Sequence, residues 1–160
     1  MTISFKDKVA IVTGAGGGLG RCHALQFAER GAKVVVNDLG GAVDGSGGSS
    51  EAAEKVVQEI KDMGGEAIAN GSSVTDKAGV AKLVEDSMAA FGRIDILVNN
   101  AGLFNGSPLH EISDSQWDEI MDINIRSVFQ LTRRVLPAML SQKYGNIIHI
   151  SSILGLIAVP

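Results

Sequence analysis

The sequence predicts a doubly wound α/β fold, in which a parallel β-sheet lies between two layers of helices. Short runs rich in Val, Ile and Ala alternate with longer stretches of helical periodicity. The short runs are apolar almost throughout, which is typical of strands that are covered on both faces. Right-handed crossovers then favour a Rossmann-type sheet of order 3-2-1-4-5, three layers thick, in one domain over residues 1–160.

Three strand–helix units fill the first half of the chain. Glycines at positions 31 and 64 provide natural helix ends. The loop Leu39–Ser49 is rich in glycine and serine and is longer than most connections of this kind. The predicted strands and helices are, in chain order, Lys8–Thr13, Gly18–Arg30, Lys33–Asn37, Ser50–Met63, Glu66–Asn70 and Asp76–Phe91.

The second half contains two more predicted strands, Ile94–Asn99 and Asn146–Ser151. Between them, Ser113–Gln142 has the periodicity of one long helix. Pro137 lies inside that stretch, so we expect a kink there.

The composition excludes several classes of protein. With 45% hydrophobic residues the chain can bury a sizeable core. The net charge of −4 argues against a surface that binds nucleic acid or an anionic membrane. The sequence contains no apolar run long enough for a transmembrane helix, and its Cys, His and acidic residues do not have the spacing of metal ligands.

The cysteine content bears on the compartment. The single cysteine, Cys22, excludes an intrachain disulfide and favours a reducing environment. It falls on the predicted first helix, where we expect a small buried thiol. Because the first residues do not resemble a signal peptide, the sequence predicts a cytoplasmic protein.

A glycine-rich loop follows the first strand and opens the first helix. Residues 13–20 read TGAGGGLG, in the pattern T-G-x-x-x-G-x-G. Bare backbone at this place lets a pyrophosphate approach the helix N-terminus. Glycines also serve ordinary turns, but the position between strand and helix favours a nucleotide site.

Asp38 follows the second strand and lies 18 residues after Gly20. A carboxylate near this spacing accepts hydrogen bonds from the adenosine ribose, and its charge repels a 2′-phosphate. The sequence therefore predicts NAD as the cofactor. Arg21 follows the glycine loop and is a candidate phosphate ligand, which leaves NADP open as the second choice.

A third motif, Asn99-Asn100-Ala101-Gly102, follows the fourth strand. Together with the glycine loop and the pair Ser151-Ser152 after the fifth strand, it forms an ordered set that resembles the short-chain dehydrogenases/reductases. That resemblance implies an NAD-dependent oxidoreductase that transfers a hydride between the nicotinamide and a secondary alcohol or ketone, of 3-hydroxyacyl or hydroxysteroid type.

The resemblance also implies which residues contact the cofactor. The glycine loop matches the pyrophosphate site, Asp38 the ribose-binding acid, and the Asn-Ala-Gly turn the segment under the cofactor ribose. Ser73-Val74 falls where the family's adenine-contacting pair lies, with Ser in place of the common Asp. The implied cofactor-binding residues are Gly14, Gly18, Leu19, Gly20, Asp38, Ser73, Val74, Asn100, Ala101 and Gly102.

Two catalytic positions follow from the same resemblance. Ser152 matches the serine that hydrogen-bonds the substrate carbonyl oxygen, where a donor stabilises developing negative charge; Ser151 is the alternative. Asn124 matches the asparagine that kinks the long helix and holds a water in the proton relay. An Asn within an apolar helical stretch also indicates, by itself, a polar partner.

The sequence departs from the family where the acid–base pair is expected. The family places a tyrosine four residues before a lysine, beyond the serine, and Pro160 precedes that point. The only tyrosine, Tyr144, precedes the fifth strand and has Ile148 four residues later. We therefore expect the chain to be a piece of a longer enzyme, and the apolar stretch Ile153–Val159 supports that expectation. As given, the chain is alternatively a catalytically inactive NAD-binding fragment.

Two segments suggest a subgroup. Val36–Gly41 and Phe91–Asp95 are similar to the hydroxyacyl-CoA dehydrogenase part of peroxisomal multifunctional enzymes, whereas the second half is more similar to bacterial ketoreductases. A sugar epimerase would share the glycine loop, but such enzymes usually have a longer chain and a separate substrate domain.

The long predicted helix has more apolar residues than one sheet face needs. In the family this helix pairs subunits, so the resemblance implies a homo-oligomer. Trp117, near its start, is predicted to lie in the core or at the subunit interface. The apolar residues concerned are Ile120, Val128, Leu131, Val135 and Met139.

Overall fold

Five parallel strands form one sheet in the computed structural model, which describes residues 3–40 and 51–152. The strand order is β3-β2-β1-β4-β5, as predicted. Every neighbouring pair runs parallel. The strands are β1 (Val9–Thr13), β2 (Lys33–Asn37), β3 (Ala67–Asn70), β4 (Ile96–Asn99) and β5 (Asn146–His149).

Helices connect the strands and cover both faces of the sheet. A short 3₁₀ turn at Leu109–Glu111 lies in the connection after β4. The helices are α1 (Gly18–Glu29), α2 (Glu51–Asp62), α3 (Lys77–Phe91), α4 (Asp114–Met121) and α5 (Ser127–Gln142). Among the described residues, none of these helices combines the length and the apolar composition needed to cross a bilayer.

The two faces of the sheet form two separate cores, because side chains alternate along each strand. In β1, Ala10 and Val12 pack with α1 and α2, whereas Ile11 packs with α3 and α5. All five residues of β1 are buried. This two-sided burial explains why the strands are apolar without alternation, and it confirms the predicted three-layer architecture.

The long helix departs from the prediction. It is interrupted by a π-helical turn at Asp122–Arg126, which separates α4 from α5. Pro137, where we expected the kink, lies inside α5. The hydroxyl of Ser127 donates to the carbonyl of Ile123, four residues earlier, and so replaces a backbone partner where the helical pattern changes. The change of helical pattern thus coincides with Asn124.

Three smaller predictions are corrected. The fourth strand begins at Ile96, and the backbone of Ile94, two residues earlier, bonds to the side chain of Gln142. Cys22 is exposed, because it lies on the solvent side of α1. Trp117 is 50% exposed, so the predicted core position is wrong, whereas the predicted interface position stays a prediction. Most of the predicted loop after Asp38 lies outside the described residues.

A buried carboxylate holds the amino-terminal edge of the sheet. The side chain of Asp95 is fully buried and accepts hydrogen bonds from the Val9 backbone at 2.9 Å and from two nitrogens of Arg93 at 2.7 and 2.6 Å. Lys8 Nζ lies 3.6 Å from Asp95 Oδ1. Burial alone would raise the pKa of Asp95, but the bonds from Arg93 and Val9 and the attraction of the two cations together lower it below its usual range.

We expect Asp95→Asn to reduce the free energy of unfolding at pH 7 by about 2–4 kcal/mol, because an amide cannot replace the charge-assisted bonds. Since the folded pKa is depressed, the stabilisation is complete above the unfolded pKa of about 4 and is lost as pH falls through the folded value. Urea unfolding of the complete protein at pH 7 and at pH 3 measures both effects.

The matched control is Glu85→Gln, which removes an exposed carboxylate paired with Arg134 at 3.0 Å. We expect that variant to stay within about 0.5 kcal/mol of the unaltered protein. Equal losses in the two variants would contradict the role assigned to Asp95.

Candidate functional site

A cleft of about 900 Å³ opens at the carboxyl ends of the strands. It lies where the strand order reverses, between β1 and β4, which is the place where ligands bind in open α/β sheets. The described residues that line it are Gly14, Gly17, Gly18, Leu19, Gly20, Asn37, Asp38, Leu39, Ser72, Ser73, Val74, Thr75, Asn100, Ala101, Gly102, Leu103, Glu119, Asp122 and Ile123.

The glycine loop forms the floor of this cleft. A Cβ on Gly20 would lie 2.1 Å from the carbonyl oxygen of Gly14, so only glycine permits this packing of α1 on the loop. Gly14 itself has φ +60°. The residue before α1, Gly17, provides no side-chain cap, which leaves the first N–H groups of the helix available to an anion. This bare cradle fits the pyrophosphate of a dinucleotide.

One hydroxyl ties the glycine loop to the turn after β4. Thr13 Oγ1, 1% exposed as a residue, accepts hydrogen bonds from the backbone N–H groups of Asn100 and Ala101, both at 3.0 Å. It donates to the carbonyl of Val98 at 3.3 Å. In return, Asn100 Nδ2 donates to the carbonyls of Thr13 and Gly14 at 2.9 and 3.1 Å. The two walls of the cleft are therefore fixed relative to each other.

Asp38 stands at the end of β2 with both carboxylate oxygens engaged. Oδ2 accepts a hydrogen bond from the Gly16 N–H at 2.7 Å, and Oδ1 accepts one from the Gly40 N–H at 2.7 Å. Each oxygen keeps a further lone pair, so the carboxylate can still accept from ribose hydroxyls. Its orientation is thus set by the protein.

Arg21 does not face the cleft, although it follows the glycine loop. Its guanidinium forms a two-point ion pair with Glu59 on α2. The hydrogen bond from Arg21 lowers the pKa of Glu59, which is consistent with a committed pair. The arginine that kept NADP open as the second choice is therefore engaged elsewhere.

Buried amides support the other end of the cleft, where β2 and β3 finish. Asn37 Nδ2 donates to Asn70 Oδ1 at 3.0 Å and to the Ser72 carbonyl at 2.9 Å. Asn70 in turn donates to Asp86 of α3 at 2.8 Å. Ser73 Oγ lies 2.9 Å from Thr75 Oγ1, in the turn that leads to α3. The cleft residues that follow β3, at positions 72–75, are uncharged.

Asn124 connects the π turn to the loop that follows the Asn-Ala-Gly turn. Its Oδ1 accepts from the Leu103 N–H, and its Nδ2 donates to the Leu103 carbonyl, both at 2.8 Å. The polar partner that the sequence predicted is therefore a backbone segment. Glu119, Asp122 and Ile123, which precede Asn124, complete the wall on that side.

The structure brings all ten predicted cofactor residues to this one cleft. The lining residues that the structure describes include neither Asn124 nor Ser152. Ser152 is exposed and lies three residues after the end of β5. Between them, the N–H of Ile150 donates to the Asn99 carbonyl at 2.9 Å. The serine is therefore at the same edge of the sheet as the cleft.

Sequence reasoning missed the supporting residues Thr13 and Asn37. A signal was present, because each of the first four strands ends in a polar residue after an apolar run. All four are at most 4% exposed, and they are Thr13, Asn37, Asn70 and Asn99. Within the described part of the chain, no group of three His, Cys, Asp or Glu side chains is placed to hold a metal.

The chain matches known proteins over most of its length. The sequence model of one family, described as short chain dehydrogenase, matches residues 8–160. The chain is 49% identical to peroxisomal multifunctional enzyme A of Dictyostelium discoideum, over 98% of this chain and 35% of that protein. It is 51% identical to peroxisomal multifunctional enzyme type 2 of Mus musculus, over 96% of this chain and 20% of that protein.

A solved structure is also similar to this chain. A 7α-hydroxysteroid dehydrogenase complexed with NADH and 7-oxo glycochenodeoxycholic acid superposes with a TM-score of 0.89 at 33% identity. The match covers 98% of this chain and 57% of the other. The chain thus spans from a fifth to just over half of the length of these relatives.

Proposed function

The chain belongs to the short-chain dehydrogenase family, and we propose that the complete protein is an NAD-dependent oxidoreductase acting on a secondary alcohol or ketone. The observation that carries the proposal is the cleft itself, with the uncapped start of α1 and the glycine loop at its floor and the fixed carboxylate of Asp38 at one end. A nicotinamide dinucleotide, when bound, supplies or accepts the hydride.

The protein's own contribution is to bind and orient. The bare backbone of residues 14–20 would hold the pyrophosphate, and Asp38 would accept from the adenosine ribose. Leu39 and Val74 both line the cleft and offer apolar contacts to the adenine ring. Asn100–Gly102, fixed by Thr13, would support the second ribose, so that the nicotinamide lies toward β5 and Ser152.

Three features of the site favour NAD over NADP. The carboxylate of Asp38 repels a 2′-phosphate. Arg21 is held by Glu59 on α2. The residues beside Asp38 in the cleft, Leu39 and Asn37, are uncharged.

The substrate is proposed to be a 3-hydroxyacyl or hydroxysteroid compound, and the name of the solved relative, a 7α-hydroxysteroid dehydrogenase, supports the second of these classes. Ser152 Oγ–H would donate to the substrate oxygen and stabilise the charge that develops there. The role of Asn124 in a proton relay stays a prediction. Its hydrogen bonds to the Leu103 backbone give it a role in positioning the loop after β4.

An apolar stripe that is exposed in the described part of the chain supports the proposed homo-oligomer. The sequence predicted more apolar residues on this helix than one face of the sheet needs. Three of them, Leu131, Val135 and Met139, are buried against the sheet. A different set on the same helical segment is exposed, with spacings that place its members on one face of a helix. Its members, with their exposed fractions, are Ile125 (58%), Phe129 (61%), Leu136 (38%) and Leu140 (72%).

The location that the sequence predicts, the cytoplasm, stays a prediction. The names of the Dictyostelium and mouse relatives point to the peroxisome instead.

The cofactor proposal is tested by titrating the complete protein with NADH and with NADPH and following nicotinamide fluorescence. We expect NADH to bind at least tenfold more tightly, and Asp38→Asn to reduce that preference because the repulsion of the 2′-phosphate is lost. The control Asp62→Asn removes the same charge from the exposed end of α2 and should leave both dissociation constants unchanged. NADPH binding as tightly as NADH would refute NAD dependence.

The catalytic assignment is tested by Ser152→Ala in the complete protein. We expect kcat to fall about 100-fold, the loss typical of one donor to a developing oxyanion. The dissociation constant of NADH should not change. Ser151→Ala is the matched control and should retain activity; a loss in that variant instead would move the role to Ser151.

The oligomer is tested by size-exclusion chromatography with light scattering. We expect the complete protein to elute as an oligomer and Phe129→Arg to shift it toward the monomer, because a charge in an apolar interface is costly. Met63→Arg, at an equally exposed apolar position after α2, is the control. A monomer before any substitution would contradict the proposal.

A further inference from the structure

We propose that Gly16 is a positioning residue for Asp38 and helps to set the preference of the cleft for NAD. The inference rests on the proposed NAD-dependent function and assigns a part of it to a residue that does not line the cleft. The geometry that carries it is the contact between the glycine loop and the end of β2.

Gly16 contacts the carboxylate in two ways. Its N–H donates to Asp38 Oδ2 at 2.7 Å, a short bond to a charged acceptor. Its Cα faces the same side chain so closely that an added Cβ would lie 2.8 Å from Asp38 Cγ and 2.9 Å from Oδ2. The carboxylate therefore occupies the space that any side chain at position 16 would need.

Helix α2 closes the other side of this space. The same added Cβ would lie 2.7 Å from the Cβ of Ala52, in the first turn of α2. A methyl group at position 16 can be accommodated only if Asp38 swings away or α2 shifts. Because Asp38 is a side chain with rotatable bonds and Ala52 belongs to a helix, we expect Asp38 to move.

Backbone strain does not explain the glycine. Gly14 and Gly18 have positive φ angles in this loop, whereas Gly16 does not. Alanine is therefore compatible with the backbone at position 16, and the cost of Gly16→Ala comes from crowding alone. The substitution consequently reports on the position of Asp38.

Displacing the Asp38 carboxylate should affect the binding of NAD and the binding of NADP differently. A displaced carboxylate loses its alignment with the 2′- and 3′-hydroxyls of the adenosine ribose, which weakens NAD binding. A 2′-phosphorylated dinucleotide is repelled by that carboxylate, so moving Asp38 does not weaken its binding. Gly16→Ala should therefore change the ratio of the two affinities, not only their size.

The test measures dissociation constants of NADH and NADPH for the complete protein. We expect Gly16→Ala to reduce the NADH preference on the order of tenfold, the factor for one charge-assisted hydrogen bond. Gly17→Ala is the comparison, because its added Cβ meets nothing within 4 Å. Any effect at Gly17 acts near the pyrophosphate that both dinucleotides share, so the ratio should stay constant.

A double-mutant cycle with Asp38→Ala shows whether the effect passes through the carboxylate. In that background Gly16→Ala should leave the ratio unchanged. If Gly16→Ala alone does not fold, adding Ala52→Gly removes the contact with α2 and keeps the one with Asp38. An unchanged ratio in the folded variant, or a change that persists without Asp38, would overturn the inference. Failure of the unaltered protein to bind NADH would instead refute the proposed function.

Discussion

The hydroxyl of Thr13 joins the two halves of the cleft. It stands at the end of β1 and accepts two backbone N–H groups from the turn after β4, while Asn100 returns two bonds to the glycine loop. Buried N–H groups without acceptors are costly, so this arrangement leaves the loop and the turn one relative position. The crowding of Gly20 against Gly14 and the start of α1 then follow from where β1 ends.

The two edges of the sheet are stabilised by different chemistry. At the amino-terminal edge, a fully buried carboxylate is surrounded by Arg93, Lys8 and a backbone N–H. At the carboxyl-terminal edge, the buried groups at the strand ends are a hydroxyl and three amides, all neutral. Neutral groups bind the backbone without repelling an anion, whereas the acidic Asp38 lies at one end of the cleft. The buried groups at the strand ends therefore add no charge to the floor of the cleft.

Much of this arrangement could be predicted, because it depends on local patterns. The glycine loop, the apolar strands and the strand order follow from periodicity and from the handedness of crossovers, and β2 has the bounds that its sequence predicts. The π turn could not be predicted in this way, since it accompanies contacts between Asn124 and Leu103, 21 residues apart. The inward face of α5 was also misjudged, because composition alone does not tell which apolar stripe meets the sheet. The role of Gly16 depends on an acid 22 residues later in the chain.

The exposure of Cys22 has a practical consequence for studying this protein. It is the only thiol in the 160 residues, and it lies on α1, two positions after the glycine that packs against the loop. A thiol-reactive fluorophore would therefore label this part of the chain at one site, without engineered cysteines. Such a label would lie on the helix whose first residues line the cleft.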